Sequence, residues 1–189
     1  MSEQSLQGFR VAIIANDLFE QSELLEPKKA LESAGAHVKV ISKNSGEIQG
    51  VQHDRKDQKV KVDLTLDEAN PDDFDALMLP GGAMNADSLR MEQKAQAFAR
   101  AIDSSGRPLA VICHGPWLLV SSNLVKGRRM TSYFTIQDDL RNAGAIWQDA
   151  ECVVDRNWIS SRQPADLLRF NQEMIRVFSE HLERGRRAA

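Results

Sequence analysis

The chain has 189 residues, a length that fits one domain and is long enough to bury a core without disulfide or metal support. Lys and Arg total 24 against 27 Asp and Glu, a formal net charge of −3, which argues against a nucleic-acid binder driven by phosphate neutralisation. With 42% hydrophobic and 27% charged residues the composition is that of a folded globule.

No apolar run approaches the roughly 18 residues of a membrane span. The polar, acidic N-terminus, Met1-Ser-Glu-Gln-Ser-Leu-Gln, is not a secretory signal. Two cysteines far apart make neither a disulfide framework nor a zinc site, so a reducing, cytoplasmic compartment is expected, with no metal or other cofactor.

Apolar runs alternate with amphipathic stretches along the whole chain. Val11–Ala15 is a short β-branched run and predicts a buried strand. From Ser22 to Ala34, Leu24, Leu25, Ala30, Leu31 and Ala34 recur at helical spacing, and Gly35 supplies the C-terminal cap. Pro27 argues against a straight helix there unless the regular part begins at it or the helix kinks. Val38–Ile41 predicts a second strand. Alternating apolar residues between Gly46 and Leu66 predict a β-hairpin excursion with its charged tip at Asp54–Lys59. Asn70-Pro71-Asp72-Asp73 predicts a turn, and Ala76–Leu79 a strand that stops at Pro80-Gly81-Gly82.

Arg90 to Ile102 predicts a helix, closed by Gly106 and Pro108. Leu109–Ile112 is the next strand and runs into Cys113-His114-Gly115-Pro116, with Pro116 in the first turn of a helix. A strand over Met130–Tyr133, a helix over Ile136–Ala143 and two strands between Trp147 and Ser160 around Asp155-Arg156-Asn157 follow. Pro164 opens a last helix. Residues 1–8 and 184–189 are expected to be frayed tails of a single domain spanning 1–189. Alternating strands and helices predict an α/β fold with a mostly parallel sheet covered on both faces, and ligands in such sheets bind beyond the carboxyl ends of the strands.

Cys113 lies at such an end. A cysteine between a buried strand and a helix sits on a sharp corner that lifts its side chain above the sheet. Gly115 is expected to provide room for the turn. The free N–H groups and dipole of the following helix favour a thiolate, so a depressed pKa is expected. The backbone N–H of His114 is placed for an oxyanion hole. The competing reading is a small buried hydrophobe, since free cysteine is among the most buried residue types.

Ala110-Val-Ile-Cys-His-Gly-Pro-Trp-Leu-Leu resembles the nucleophile segment of the PfpI/ThiJ family, within the class I glutamine amidotransferase-like superfamily. The resemblance extends through Ala15-Asn-Asp-Leu-Phe-Glu-Gln-Ser-Glu-Leu, Phe74-Asp-Ala-Leu-Met-Leu-Pro-Gly-Gly, Lys126-Gly-Arg-Arg-Met-Thr-Ser-Tyr and Asn157-Trp-Ile-Ser-Ser-Arg-Gln-Pro-Ala-Asp-Leu. It implies a flavodoxin-like three-layer α/β/α sandwich, assembled as a dimer or hexamer. Cys113 matches the nucleophile, His114 the catalytic histidine, Glu20 the acid that hydrogen-bonds the sulfur, and Gly82 an oxyanion donor beside the His114 N–H. A carboxylate beside a thiolate is repulsive, so the matched acid is expected to hold a proton; alone, Glu20 reads equally as a solvated loop residue. Peptidase-like members place a glutamate after Pro-Gly-Gly that reaches the histidine from a neighbouring subunit. Here Asp87 is the nearest acid, offset by one residue, and is either that third residue or a helix cap near Arg90.

The resemblance implies a cysteine-nucleophile enzyme acting on reactive carbonyls, methylglyoxal or early glycation adducts on protein or nucleotide. An oligomeric intracellular cysteine peptidase and a redox sensor or holding chaperone without turnover are the alternatives. His181-Leu182-Glu183 reads as a helix surface, Cys152 as a strand cysteine, His37 and His53 as residues without a metal pattern, and Trp117, Trp147 and Trp158 as packing or interface residues.

Overall fold

The computed structural model describes residues 5–53 and 55–188. Its elements in chain order are β1 (Arg10–Ile14), β2 (Phe19–Glu20), α1 (Gln21–Ser33), β3 (His37–Ser42), β4 (Glu47–Gln52), β5 (Arg55–Lys61), β6 (Leu64–Thr65), β7 (Ala76–Leu79), α2 (Ala83–Arg90), α3 (Gln93–Ser104), β8 (Leu109–Ile112), α4 (Pro116–Ser121), β9 (Arg129–Met130), α5 (Gln137–Asn142), β10 (Ile146–Trp147), β11 (Cys152–Asp155), β12 (Trp158–Ser161) and α6 (Leu167–Ala188). Short 3-10 turns at Pro71–Asp73, Phe134–Ile136 and Pro164–Asp166 join them. No helix among the described residues is long and apolar enough to cross a membrane.

Seven strands form the central sheet in the order β11-β12-β8-β7-β1-β3-β6. Every pairing is parallel except the edge pair β11–β12. The inner strands β1, β7 and β8 bury both faces, which is why these segments are nearly continuous apolar runs. Val11 and Ile13 of β1 and Ile112 of β8 pack with Leu24 and Leu31 of α1 and Phe170, Met174 and Phe178 of α6. Ile14, Leu79 and Val111 face the other way, onto Phe98 of α3 and Leu118 of α4. Fully burying one such aliphatic or aromatic side chain stabilises the fold by about 1.5–3 kcal/mol. This is the α/β/α sandwich expected.

Helix α1 runs unbroken through Pro27. Gly35, at φ +97°, ends it as expected: its N–H bonds Glu32 O at 3.0 Å and the Ala36 N–H bonds Leu31 O at 3.0 Å. The hairpin β4–β5 exists, but β4 ends at Gln52 and β5 begins at Arg55, so residues 55–59 of the expected tip are strand, and Asp54 lies outside the described residues. Phe19–Glu20 pairs with Gly50–Val51 and attaches the hairpin near the carboxyl end of the sheet. The helix expected from Arg90 is two helices, α2 and α3, with Met91 capping the first and Glu92 the second. The strand expected at Met130–Tyr133 shrinks to Arg129–Met130. The expected tails are anchored where described. Leu6 is fully buried, its N–H bonds Ala34 O at 2.7 Å, and α6 continues to Ala188; residues 1–4 and 189 lie outside the described residues.

Candidate active site

Strand β8 delivers Cys113 beyond its carboxyl end, between neighbours β7 and β12. The Cys113 N–H bonds Ser161 O at 3.1 Å and its carbonyl accepts the Tyr133 N–H at 2.9 Å, so the corner is tied on both sides. The left-handed residue of the corner is Cys113 itself, at φ +62°. For a side-chain-bearing residue this stores roughly 1–3 kcal/mol, held by the surrounding bonds. Gly115 is helical at φ −49° and gives the corner the expected room by its smallness: a Cβ there would lie 2.9 Å from Val111 Cγ2 and 3.0 Å from Leu79 O.

The neighbouring strand β7 ends at Pro80-Gly81-Gly82, which wraps over the sulfur. Gly82, at φ +87°, caps α2, and the backbone N–H groups of Gly82 and His114 both favour the Cys113 thiolate. Both expected oxyanion donors therefore lie beside the Cys113 sulfur. Gly81 donates to Glu23 Oε2 at 3.0 Å, and the Glu23 carboxyl in turn hydrogen-bonds the sulfur.

The acid beside the sulfur is thus Glu23, not Glu20. Glu20 precedes α1, and its Oε2 accepts the His53 N–H of the hairpin turn at 3.0 Å. Three residues on, Glu23 lies on the helix face shared by Leu24, Pro27 and Leu31, and it is fully buried. Its Oε1 has no hydrogen-bond partner. Burial, and secondly the nearby Glu20 charge, push the Glu23 carboxyl up to about 8. It is held as a proton carrier at neutral pH.

Burial also raises the Cys113 thiol, as does the charge of an ionised Glu23, while the N–H groups of Gly82 and His114 oppose the rise. The depressed thiol expected from the helix dipole is therefore not found: α4 has only six residues, and desolvation outweighs its dipole. The repulsion from Glu23 disappears when that carboxyl keeps its proton. A protonated carboxyl there is a donor to the sulfur in place of a repelling charge.

His114 Nδ1 lies 3.2 Å from Cys113 Sγ and Nε2 lies 3.3 Å from Thr135 Oγ1. The ring stacks on Tyr133 (centroids 4.9 Å apart) and meets Trp117 edge-on at 5.3 Å. Burial pushes the imidazole below its usual value, so it is neutral at pH 7. With the proton on Nδ1 the ring donates to a thiolate and accepts from Thr135; with it on Nε2 the ring accepts the thiol proton. The two tautomers match the two states of the sulfur. Among the described residues no carboxylate takes the place of Thr135: Asp87 is exposed within α2, is not its cap, and does not line the site. Thr135 escaped the sequence reading because the loop after β9 has no apolar period to place it. We expect Thr135→Val to lower turnover about fivefold, the worth of one net hydrogen bond, and Thr135→Ser to restore it; steady-state kinetics decide.

Above the sulfur opens a cavity of about 700 Å³, lined by Cys113, Glu23 and Gly82, by His114 and Tyr133, and by the hairpin residue Val51. Leu18 and His53, two further side-chain-bearing residues with positive φ (64° and 58°), also line it. Strained backbone is concentrated around this one cavity.

The DJ-1/PfpI family matches residues 9–177. The chain belongs to the DJ-1/PfpI family. Among relatives, the protein named Deglycase PfpI of Pyrococcus furiosus is 44% identical over 168 residues, 89% of this chain and 98% of that one. Protein/nucleic acid deglycase 2 of Escherichia coli K12 is 39% identical over 169 residues, 89% of this chain and 96% of that one. The crystal structure of Drosophila melanogaster DJ-1beta superposes with a TM-score of 0.82 at 23% identity, covering 94% and 97% of the two chains, and shares the fold.

The remaining discounted residues of this DJ-1/PfpI chain lie away from the sulfur. Cys152 is half-buried on the edge strand β11. His181, on α6, packs edge-on to Phe9 with centroids 6.4 Å apart. Trp158 is buried under Arg128, and Trp117 donates to Asp139 Oδ2 at 2.8 Å. His53, which lines the cavity, and Trp117, which packs edge-on against His114, are the exceptions.

Proposed function

We propose that the chain is a cysteine-dependent deglycase, removing early 2-oxoaldehyde adducts from amines. The observation that carries this reading is the Cys113 sulfur, ringed by the Glu23 carboxyl, the His114 imidazole and two backbone N–H groups under a cavity of about 700 Å³. A cavity of that size takes a carbonyl together with the molecule that bears it. Both relatives described above carry deglycase in their names.

In the proposed cycle the thiolate bonds to the carbinol carbon of the adduct, and the carbon–nitrogen bond breaks. The amine leaves with a proton, giving a hemithioacetal. His114 moves a proton from that carbon to the adjacent carbonyl system, leaving a thioester. Water cleaves the thioester and regenerates the thiol, so adduct plus water gives free amine plus a 2-hydroxy acid, with no net redox change. The Gly82 and His114 N–H groups hold the developing oxyanion. Peptide hydrolysis is the second reading: the outer nitrogen of His114 faces the Thr135 hydroxyl, so the carboxylate of a triad would have to come from a neighbouring subunit. Self-association forms part of the proposal: Met84 and Phe134 are large exposed apolar residues beside the cavity and its histidine wall.

The test incubates the protein with the methylglyoxal adduct of N-acetylarginine and, separately, with a fluorogenic peptide. Lactate formation, with amine release faster than spontaneous decay and lost in Cys113→Ala, is the expected result. Peptide cleavage without lactate overturns the proposal.

A further inference from the structure

The carbonyl chemistry occupies the floor of the cavity, and the hairpin wall is left without a task. That wall is not loosely attached. Asp17 Oδ1 accepts the Gln49 N–H at 2.7 Å, Glu20 Oε2 accepts the His53 N–H at 3.0 Å, and Gln21 Oε1 accepts the Gln58 N–H at 2.7 Å. Gln21 Nε2 also donates to Asp57 Oδ2 at 3.0 Å. Three polar side chains around β2, Asp17, Glu20 and Gln21, thus fix both strands of the hairpin beside Cys113.

Strand β5 is an exposed edge strand rich in charge, and most of its lysines and arginines need only solvent to explain them. Lys56 differs. The hairpin register sets it opposite Val51, a buried residue of the cavity wall, so the two share one face. Both line the cavity. Lys56 is the one lysine or arginine in that lining. Like Arg55 and Lys61 on the same strand, Lys56 has no ion pair among the described residues; what sets it apart is its place in the cavity wall. Glu20, the other charged residue on this side, already spends one carboxylate oxygen on the hairpin turn.

We propose that Lys56 forms an anion subsite for the far, non-reacting end of the ligand, so that the cavity selects small molecules bearing a carboxylate or phosphate beyond the carbonyl carbon. The substrate class so named rests on the carbonyl-processing reading above; the anion binding does not require turnover. A lysine suits the task as a point charge that accepts either group without a fixed fork geometry. The ligand end it meets sits at the mouth, where the ammonium keeps its hydration until the anion displaces it.

The experiment is ligand-observed saturation-transfer NMR on the full chain with benzoate, phenyl phosphate and benzyl alcohol as probes. The anions are expected to bind and the alcohol not. Lys56→Gln should raise the dissociation constant of the anions about fivefold, equivalent to about 1 kcal/mol, while Lys56→Arg restores it. Binding of phenyl phosphate alone, or of benzoate alone, identifies the group the subsite takes. Anion binding that Lys56→Gln leaves unchanged, an alcohol that binds as well as the anions, or no anion binding at all overturns the subsite. Lys56-dependent binding in a protein that releases no 2-hydroxy acid overturns the carbonyl reading and leaves the subsite standing.

Discussion

Replacing Gly81 by alanine is expected to lower turnover at least ~100-fold with the sulfur, the carboxyl and the imidazole all still present, since displacements near 1 Å suffice for such losses. A Cβ at position 81 would overlap Glu23 Oε2 and lie 2.5 Å from Cys113 Cβ and 2.9 Å from Sγ. The Gly81 φ is not in the left-handed region, so the effect is one of space alone. Neither neighbour can retreat easily. Glu23 is fixed in the first turn of α1, and Cys113 is tied to β12 and Tyr133 through its backbone. Overpacking of this kind also destabilises by about 1–3 kcal/mol. Gly185→Ala, whose Cβ would meet nothing, is the matched control: it is expected to leave activity unchanged and, as a glycine within α6, to melt no lower than the parent. Thermal melts alongside kinetics separate the two effects: activity lost at a temperature where the variant is fully folded identifies displacement of the site.

What could be read from the residues alone followed from burial. The strands β1, β7 and β8 are apolar on both faces, and β8 ends in Cys113, so a sheet covered on both sides and a sulfur at its carboxyl edge were legible. The acid was misassigned because Glu20 adjoins the strand-like run in sequence, whereas Glu23 is one helical turn further on. The usable signal was periodicity: Glu23 shares a helix face with Leu24, Pro27 and Leu31, and an acid on an apolar face calls for a partner. The hairpin turn was misplaced for the opposite reason. Apart from half-buried Val60, β5 is fully exposed, so it has almost no apolar alternation to mark where it begins. Asp87 looked like a cap because α2 and α3 read as one helix with a late start. The break between them rests on Met91 and Glu92, neither of which is a turn residue by type. Lys56 was invisible for a deeper reason. Its meaning depends on cross-strand register and on the lack of an ion-pair partner, and neither is a property of local sequence.

Glu23 and Cys113 are coupled, and the pair gives a pH dependence whose sign can be worked out. The Glu23 carboxyl is pushed up to about 8 in the fold, against an ordinary value of 4.5. The folded pair therefore keeps a proton that the unfolded chain releases between these two values. Stability from this group is fully present below about 4.5 and is lost as pH rises through about 8. The full shift corresponds to at most roughly 5 kcal/mol, an upper limit because the sulfur takes over part of the charge. Glu23→Gln has no proton to lose, keeps an N–H to donate to the sulfur, and is expected to melt higher than the parent at pH 8 while matching it near pH 5. A parent and variant with parallel melting curves across that window would mean that Glu23 binds the same proton folded and unfolded. Activity reports where the charge goes. Burial raises the thiol, while the backbone N–H groups of Gly82 and His114 favour the thiolate. Turnover of the parent should accordingly rise with pH as the thiolate forms. In Glu23→Gln the midpoint should move higher, because an amide is the weaker donor. Glu23→Leu, which removes the donor and leaves the sulfur in an apolar pocket, should lose about 100-fold or more at neutral pH, the scale on which a single preorganised donor acts. Rates of Cys113 alkylation against pH, followed by peptide mass, measure the same midpoint without any substrate. A midpoint that stays put in all three proteins would place thiolate formation under the control of His114 and the backbone alone.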